Sequence, residues 1–234
     1  MTQLYVALDF NEAQQALDFA KGLDPAQCGV KVGLELFCSA GSDVVRELVA
    51  RGFPVFLDLK FHDIPNTVAG AVRAATALGV TMLNVHAAGG VPMMEGAKKA
   101  CTETANRLGL AAPTLIGVTI MTSLSAEDCR AVGYESPESQ TLKLAHLVKQ
   151  AGLDGVVCSG QEAASLQAAL GPDFHLCTPG IRPAGGATHD QQRIVTPKQA
   201  VIAGAHSIVV GRAITQSADP AAAVSAILQE LNAG

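Results

Sequence analysis

The sequence has few charged residues, and basic ones are the scarcer kind. Charged residues make up 16% of the 234 residues, against about 25% in typical soluble proteins. The 16 lysines and arginines are outnumbered by 21 aspartates and glutamates, which gives a net charge of −5. Because nucleic acids and anionic membranes require a broad basic surface, we exclude both as main partners. A few basic side chains that converge locally are still enough to bind a phosphate group.

Three further features are missing: paired cysteines, a long apolar run and a secretory signal. No two of the six cysteines form a C-x-x-C pair, which indicates reduced, mostly buried thiols rather than a disulfide or zinc framework. No apolar run approaches the roughly 20 residues of a membrane span. The first ten residues, MTQLYVALDF, lack the basic start and apolar stretch of a signal peptide. We therefore expect a cytoplasmic protein without a metal or a membrane segment.

The sequence does contain a regular alternation of short β-branched runs with longer segments of helical periodicity. Such alternation indicates a parallel sheet with helical crossovers, and eight units in a chain of this length predict a (β/α)8 barrel. The predicted strands are residues 4–8, 29–33, 54–59, 81–85, 114–119, 155–158, 175–178 and 207–210. The predicted helices are residues 11–21, 42–50, 66–78, 91–107, 140–150, 161–170, 197–203 and 220–231.

The main structural alternative is an open, doubly wound sheet. That fold more often carries a G-x-G-x-x-G turn after its first strand, and this sequence has none. No linker, charge run or repeat divides the chain, so we predict a single TIM-barrel domain of the phosphate-binding type over residues 1–234. Two long connections, residues 121–139 and 179–196, follow the fifth and seventh strands, on the face where such barrels carry active sites.

The segment DLKFHDIPNT, residues 58–67, concentrates charge at the end of the third strand. Asp58 and Lys60 are two residues apart, so both side chains point to the same face of the strand. Asp63 follows on the loop that leads into the next helix. Charges are costly to bury without partners. Spacing alone leaves two explanations open, a strand-end ion pair with Asp63 capping a turn, or a functional charged site.

Two further charges favour the functional site. Lys31 lies in VKVGLEL, inside the second strand, where a solvated lysine is out of place, and Asp9 lies at the end of the first strand. Because the second and third strands are neighbours in a parallel barrel, we expect Lys31 to meet Asp58 and Lys60, and Asp9 to lie on the same face of the barrel. Alternating ammonium and carboxylate groups favour each other's charged form. Such an array suits proton transfer and electrostatic catalysis.

Two glycine–arginine pairs follow the last two strands. TPGIRP places Gly180 and Arg182 after the seventh strand, and VGRAI places Gly211 and Arg212 after the eighth. Loops seven and eight form the usual phosphate site of these barrels, and arginine offers bidentate contacts to phosphate oxygens. The sequence therefore predicts a phosphate-bearing ligand.

These motifs together resemble the orotidine 5′-monophosphate decarboxylase family. DLKFHDIPNT is similar to the family signature D-x-K-x-x-D-[IV]-[GP]-x-T. The similarity extends over nearly the whole chain through VALD, KVGLELF, VTIMTS, TPGIRP with a downstream DQ-x-R, and VGRAI. The resemblance implies a (β/α)8-barrel enzyme that converts orotidine 5′-monophosphate to uridine 5′-monophosphate (UMP) without a cofactor.

The resemblance also implies roles for the charged residues. Lys60 resembles the donor that protonates the carbanion formed at pyrimidine C6 when carbon dioxide leaves. Asp58 resembles the carboxylate that faces the departing group. Lys31 resembles the lysine that connects this carboxylate to the ribose end of the site. Asp9 is similar to the residue that binds ribose hydroxyls. Asp63 resembles the second aspartate of a Lys-Asp-Lys-Asp array, which in this family reaches into the neighbouring subunit's site.

The remaining implied residues concern the dimer and the nucleotide. Ile64 and Thr67 accompany Asp63, so the resemblance implies a homodimer with shared sites. Thr122 in VTIMTS matches a hydroxyl residue that contacts the pyrimidine, with Ser123 as the alternative if the alignment shifts by one. The residues that match the family's phosphate-binding positions are Arg182, Gln191, Gly211 and Arg212.

Two other functions compete with the decarboxylation of a nucleotide. A phosphosugar decarboxylase or aldolase of the same barrel superfamily uses a similar D-x-K-x-x-D cluster with magnesium, typically held by an acidic residue where this chain has Lys31. A lysine at that position repels the metal. A non-catalytic phosphate-binding protein would gain nothing from a costly charged array. We interpret His62 as structural, whereas His86 either lines the site or only stabilises a loop.

Overall fold

Eight parallel β-strands close into a barrel in the computed structural model, which describes residues 2–183 and 195–233. Each strand pairs with the next in sequence order, and the last pairs with the first. This topology confirms the predicted (β/α)8 class, whereas the extent of the domain, residues 1–234, stays a prediction. The strands are β1 Gln3–Ala7, β2 Gly29–Gly33, β3 Val55–Phe61, β4 Met82–His86, β5 Thr114–Val118, β6 Gly155–Val157, β7 His175–Thr178 and β8 Ser207–Val210.

Helices surround the barrel. In the described ranges they are α1 Ala13–Ala20, α2 Leu34–Ala40, α3 Asp43–Ala50, α4 Pro65–Thr76, α5 Val91–Leu108, α6 Ala126–Ala131, α7 Pro137–Gln150, α8 Gly160–Leu170, α9 Pro197–Ile202, α10 Arg212–Thr215 and α11 Pro220–Asn232. No helix among these combines the length and the apolar character needed to cross a membrane.

Three of these helices, α2, α6 and α10, are absent from the sequence prediction, because each is short and two of them follow a strand almost directly. Helix α7 also begins three residues earlier than predicted. The Ser136 side chain accepts a hydrogen bond from the Ser139 N–H at 3.1 Å, and Pro137 occupies the first turn. A serine cap and an early proline both favour a helix start at this point.

Two apolar layers lie on either side of the barrel wall. One fills the space between the strands and the helices, and a smaller one fills the barrel interior. In the interior, the rings of Tyr5 and Phe56 meet edge to face with centroids 5.9 Å apart. The interior layer consists of Tyr5, Ala7, Phe56, Met82, Ile116, Cys177 and Val209. Part of this layer, Ala7, Phe56, Cys177 and Val209, also lines the pocket described below.

Candidate active site

A pocket of about 310 Å³ opens at the carboxyl ends of the strands. This volume lies at the small end of the range of small-molecule sites. Apolar interior side chains, including Phe56, Cys177 and Val209, form part of its lining. The sequence-predicted site residues that line it are Asp9, Lys31, Asp58, Lys60, Thr122, Arg182, Gly211 and Arg212. The fold therefore brings residues from six strand ends together on the face where such barrels carry active sites.

The end of β3 departs from regular strand geometry at Lys60. Its φ is 50°, the one positive φ of a non-glycine residue in the described ranges. The pairing of β3 with β4 shifts register between Leu57 and Phe61, and the Lys60 N–H donates to Asn84 Oδ1 at 2.8 Å. A left-handed backbone costs a residue with a Cβ atom about 1–2 kcal/mol. Surrounding contacts must therefore hold Lys60 in place.

Four charged side chains form a continuous array in the pocket. The Lys31 ammonium lies 3.2 Å from Asp9 Oδ1 and 3.6 Å from Asp58 Oδ2. The Lys60 ammonium lies 2.6 Å from Asp58 Oδ1. The side chains of Lys31 and Asp58 are only 11% and 13% exposed. Salt screens such sheltered charges much less than it screens surface ion pairs, so the array presents strong local charge to a bound ligand.

The neighbours of Asp58 hold it in its ionised form. Burial by itself would raise the pKa of Asp58, but the two ammonium groups and the hydrogen bonds from Lys60 and Asn84 outweigh burial and lower the pKa below its ordinary value. The Asn84 contact runs from Nδ2 to Asp58 Oδ1 at 2.7 Å. Both lysines therefore face a full negative charge at neutral pH.

A glycine makes room for the Lys31 ammonium. Gly33 pairs with Asp58 in the register of β2 and β3. A Cβ atom at position 33 would lie 3.0 Å from Lys31 Nζ and 3.7 Å from Asp9 Oδ1. A side chain at position 33 would therefore require the Lys31 ammonium to shift by a few tenths of an ångström. This steric limit gives the glycine of the VKVGLEL motif a direct role in the geometry of the array.

The loops after β7 and β8 bring both arginines to the same pocket. Arg182 is buried, and its Nη1 donates to the Ile181 carbonyl at 2.9 Å. Arg212 begins α10 directly after Gly211. Two guanidinium groups in an acidic chain give this part of the pocket the chemistry needed to hold a phosphate. Gln191, also expected there, lies outside the described residues.

The hydroxyl residues expected after β5 are both in the pocket. Thr122 and Ser123 line it together with Ile120 and Met121. Both hydroxyls can donate and accept hydrogen bonds, so both members of the alternative left open by the sequence are placed to contact a ligand. The two apolar neighbours offer a surface against which a planar ring can pack.

The structure does not bring Asp63, Ile64 and Thr67 to the array of their own chain. All three are exposed, and none of them lines the pocket. Asp63 Oδ1 accepts a hydrogen bond from the Ile64 N–H at 2.6 Å. The side chain of Ile64 is unusually open to solvent for an aliphatic residue. These three residues therefore form a surface next to the site rather than a part of it within one chain.

Two histidines flank the array without lining the pocket. The rings of His62 and His86 lie 5.4 Å apart. Burial lowers the pKa of His86, and the neighbouring His62 and Lys60 side chains lower it further. His86 is therefore neutral at physiological pH and cannot supply a fixed positive charge to the site.

Sequence reasoning missed Asn84, which hydrogen bonds to both Lys60 and Asp58. The available signal was a polar residue in the middle of the strand MLNVH, whose other residues are apolar apart from the last, His86. The Asn84 amide is fully buried in the structure. Buried amides are retained where they are hydrogen bonded. A polar residue in the middle of a buried barrel strand therefore indicates a partner on a neighbouring strand.

The donor set does not resemble a metal site. In the described ranges, no three His, Cys, Asp or Glu side chains come together as ligands for an ion. The Lys31 ammonium contacts both Asp9 and Asp58. A metal ion bound to these two carboxylates would lie close to the Lys31 ammonium or displace it. The repulsion between the two positive charges makes this unfavourable.

Fold and site together define a TIM-barrel enzyme. Its pocket has an ammonium–carboxylate array and two arginines suited to binding a phosphate. The model of the "Orotidine 5'-phosphate decarboxylase / HUMPS family" matches residues 2–227, and the chain belongs to this family.

Individual relatives agree with this assignment. A protein from Chromobacterium violaceum, named orotidine 5'-phosphate decarboxylase, is 54% identical over 228 residues, which cover 97% of this chain and 90% of that protein. A protein of the same name from Pseudomonas putida is 53% identical and covers 98% of this chain and 97% of its own length. The crystal structure of orotidine 5'-phosphate decarboxylase from Lactobacillus acidophilus superposes with a TM-score of 0.89 at 40% identity, covering 99% and 100% of the two chains.

Proposed function

We propose a residue-by-residue mechanism for the decarboxylation of orotidine 5′-monophosphate to UMP, the reaction that its family and relatives give this chain. The bond between C6 and the carboxylate breaks, carbon dioxide leaves, and the electron pair stays on C6. Lys60 then transfers an ammonium proton to C6 and becomes a neutral amine. Water restores that proton after the product leaves.

The observation that carries this proposal is the array of Asp9, Lys31, Asp58 and Lys60 in a sheltered pocket. A carbanion at C6 is not delocalised onto a carbonyl in the ordinary way, so the site must stabilise it by charge. An ammonium group fixed by a carboxylate does so without having to reorganise during the reaction. The same ammonium lines the pocket and can act as the general acid that gives the carbon its proton. The array therefore supports both parts of the chemistry.

The rest of the pocket binds and orients the nucleotide. Asp9 and Lys31 are assigned to the ribose hydroxyls, and Thr122 to the pyrimidine. The phosphate is assigned to Arg182, Gly211 and Arg212, with Gln191 as the further residue implied by the resemblance. These contacts are remote from C6. Their binding energy can hold the reacting carbon at the Lys60 ammonium, and such positioning contributes to kcat rather than only to affinity.

The magnesium-dependent sugar-phosphate activity of the same superfamily is not favoured. Lys31 contacts the two carboxylates that such an ion would need, and relatives that are 53–54% identical carry the decarboxylase name.

The first test is the absorbance of orotidine 5′-monophosphate mixed with the purified protein in excess chelator. We expect rapid loss of the substrate band, at a turnover of about 1–10³ s⁻¹ typical of enzymes, because no step needs a metal. The matched control is the Lys60→Ala protein purified in the same way, which excludes a contaminating host enzyme. A stable substrate band, together with magnesium-dependent activity on a ketose or gulonate phosphate, would move the chain to the sugar-phosphate branch.

We further propose that two chains form a homodimer in which Asp63, Ile64 and Thr67 complete the partner's site. Support comes from their position: Asp63 follows the array residues directly, is exposed, and lies outside the pocket of its own chain. A symmetric dimer would place the same surface of each chain at the other's pocket.

Mixing inactive subunits tests the shared site. We expect Lys60→Ala and Asp63→Ala dimers to be inactive separately, and an equal mixture, after subunit exchange, to recover about a quarter of full activity. Half of random dimers are hybrids, and each hybrid has one site with neither substitution. Mixing Lys60→Ala with Asp58→Asn is the control, because these residues share one pocket and every hybrid site stays defective. Failure of the first mixture to regain activity would contradict the shared site.

We also propose a cytoplasmic location. None of the six cysteines forms a disulfide, and five of them are buried. Burial raises the pKa of Cys177, in the pocket lining, to about 12, so this thiol stays protonated and unreactive. Six cysteines without a disulfide among them fit a reducing compartment.

A further inference from the structure

Asn84 is the polar residue at the centre of β4, and it is completely buried. Burying an amide is unfavourable unless both its donor and its acceptor find partners. Both find partners on β3, the strand next to β4 in the barrel. Oδ1 accepts from the Lys60 N–H at 2.8 Å, and Nδ2 donates to Asp58 Oδ1 at 2.7 Å. One side chain thus binds the backbone of one array residue and the carboxylate of another.

The backbone contact falls where the chain is strained. Lys60 adopts a left-handed conformation, which residues with a Cβ atom seldom adopt. The strand register also shifts there, between the pairs Leu57–Leu83 and Phe61–Val85. The Asn84 oxygen supplies the acceptor that the Lys60 N–H uses in this irregular stretch. Such strain persists only where the surrounding structure specifies it, and it is concentrated at functional sites.

The side-chain contact falls on the oxygen that also holds the Lys60 ammonium. Asp58 Oδ1 accepts from Asn84 at 2.7 Å and from Lys60 at 2.6 Å. The direction in which this carboxylate points fixes the position of the ammonium. Asn84 therefore acts on Lys60 twice, once through its backbone and once through its carboxylate partner.

We propose that Asn84 is a positioning residue for the decarboxylation, which orients the Lys60 ammonium by fixing both the left-handed backbone of Lys60 and the carboxylate of Asp58. It does not line the pocket and is not assigned any contact with substrate. The inference rests on the proposed function, because Lys60 must be the proton donor for its orientation to matter.

Truncation of the amide tests this role. We expect Asn84→Ala to lower kcat by about 100-fold, the size of effect caused by a displacement of about 1 Å at a reacting group. The KM and the affinity for UMP should change less than about threefold, because the phosphate and ribose contacts are remote from Asn84. Rates are referred to UMP-binding sites counted by calorimetry, so that a loss of folded protein does not count as a loss of kcat.

The matched control is Thr141→Val. Thr141 is also buried, and its hydroxyl donates to Glu162 Oε1 at 3.3 Å, outside the active-site pocket. This substitution also removes a buried hydrogen bond, but it should leave kcat per site unchanged. If Asn84→Ala merely lowers the melting temperature like Thr141→Val, with unchanged kcat per site, the proposal is overturned. If the wild-type protein itself does not decarboxylate the substrate, the proposed function fails instead.

A nearly isosteric variant tests the hydrogen bond that the Asn84 amide donates to Asp58. Unlike Asn84→Ala, this variant leaves no cavity in the core. Asn84→Asp keeps an acceptor for the Lys60 N–H but replaces the donor with an oxygen that faces Asp58. Two adjacent carboxyl groups share a proton, so one of them has a raised pKa. Besides Asp58, the titratable groups around this position are Lys31, Lys60, His62, His86 and Cys177. These groups are common to both proteins, so the activity ratio of variant to wild type isolates the new carboxyl group.

We expect that ratio to rise at least about tenfold as the pH falls from about 8 to about 5.5, since a protonated carboxyl group can again donate to Asp58. The measurement is kcat at saturating substrate across this pH range for both proteins. A ratio that does not depend on pH would overturn the proposed role of the Asn84 donor.

Discussion

Replacement of Lys60 with alanine is expected to lower kcat by at least about 10⁴-fold while the protein stays folded and binds UMP with near-normal affinity. The estimate combines the contribution of a general acid, about 10²–10⁴-fold, with that of a charge placed at the developing carbanion, about 10²–10³-fold. The fold should survive because Asp58 keeps its contacts with Lys31 at 3.6 Å and Asn84 at 2.7 Å. Stopped-flow absorbance gives kcat, and calorimetry gives the affinity for UMP.

Two companion variants locate the cause of the loss. Lys98→Ala is the matched control: Lys98 Nζ pairs with Asp154 at 2.5 Å, and its side chain is 29% exposed against 30% for Lys60, but it lies outside the pocket. Its kcat should be unchanged. Lys60→Arg keeps a positive charge but hardly releases a proton, since arginine stays protonated. It should therefore remain strongly impaired. Near-normal turnover of Lys60→Ala would reject Lys60 as the proton donor.

The barrel and most of the pocket could be predicted because they depend on periodicity. Alternating strand and helix segments specify the (β/α)8 topology, and that topology brings strand ends together. This is why Lys31 and Asp58, which are 27 positions apart in the chain, were expected to meet, and their charged groups lie 3.6 Å apart. The predicted strands 29–33, 175–178 and 207–210 match β2, β7 and β8. Long-range contacts followed from local patterns because the fold repeats one unit eight times.

The details that orient the chemistry could not be predicted in this way. Alternation assumes an extended backbone at Lys60, whereas its φ is 50° and the register of β3 on β4 shifts beside it. A shift of that kind depends on the pairing with the neighbouring strand, where the Lys60 N–H donates to Asn84 Oδ1, so the sequence around Lys60 does not specify it. The placement of Asp63 could not be predicted for a different reason, because its expected partner is on another chain. Its position outside the pocket of its own chain cannot be derived from spacing within DLKFHDIPNT.

Replacement of Asp58 with asparagine is expected to lower kcat by about 10³-fold. The amide oxygen can still accept hydrogen bonds from Lys60 and Asn84, so the variant removes the negative charge more than the contacts. Without that charge, the Lys31 and Lys60 ammonium groups repel each other, and the Lys60 ammonium moves from its position at C6. Loss of such electrostatic preorganisation costs about 10²–10³-fold, and displacement of the donor adds to it. The measurement is kcat per UMP-binding site.

The same variant distinguishes positioning from repulsion of the substrate carboxylate by Asp58. Repulsion predicts that Asp58→Asn binds orotidine 5′-monophosphate more tightly relative to UMP, which lacks the carboxylate. We expect this affinity ratio to change less than about threefold. The two ammonium groups and the Asn84 amide surround the Asp58 carboxylate, and these contacts offset most of its field at the substrate. Rapid-mixing measurements of binding before turnover, made with Lys60 present in both proteins, give both affinities. A tenfold gain for the carboxylated nucleotide would show instead that Asp58 acts mainly by destabilising the bound substrate.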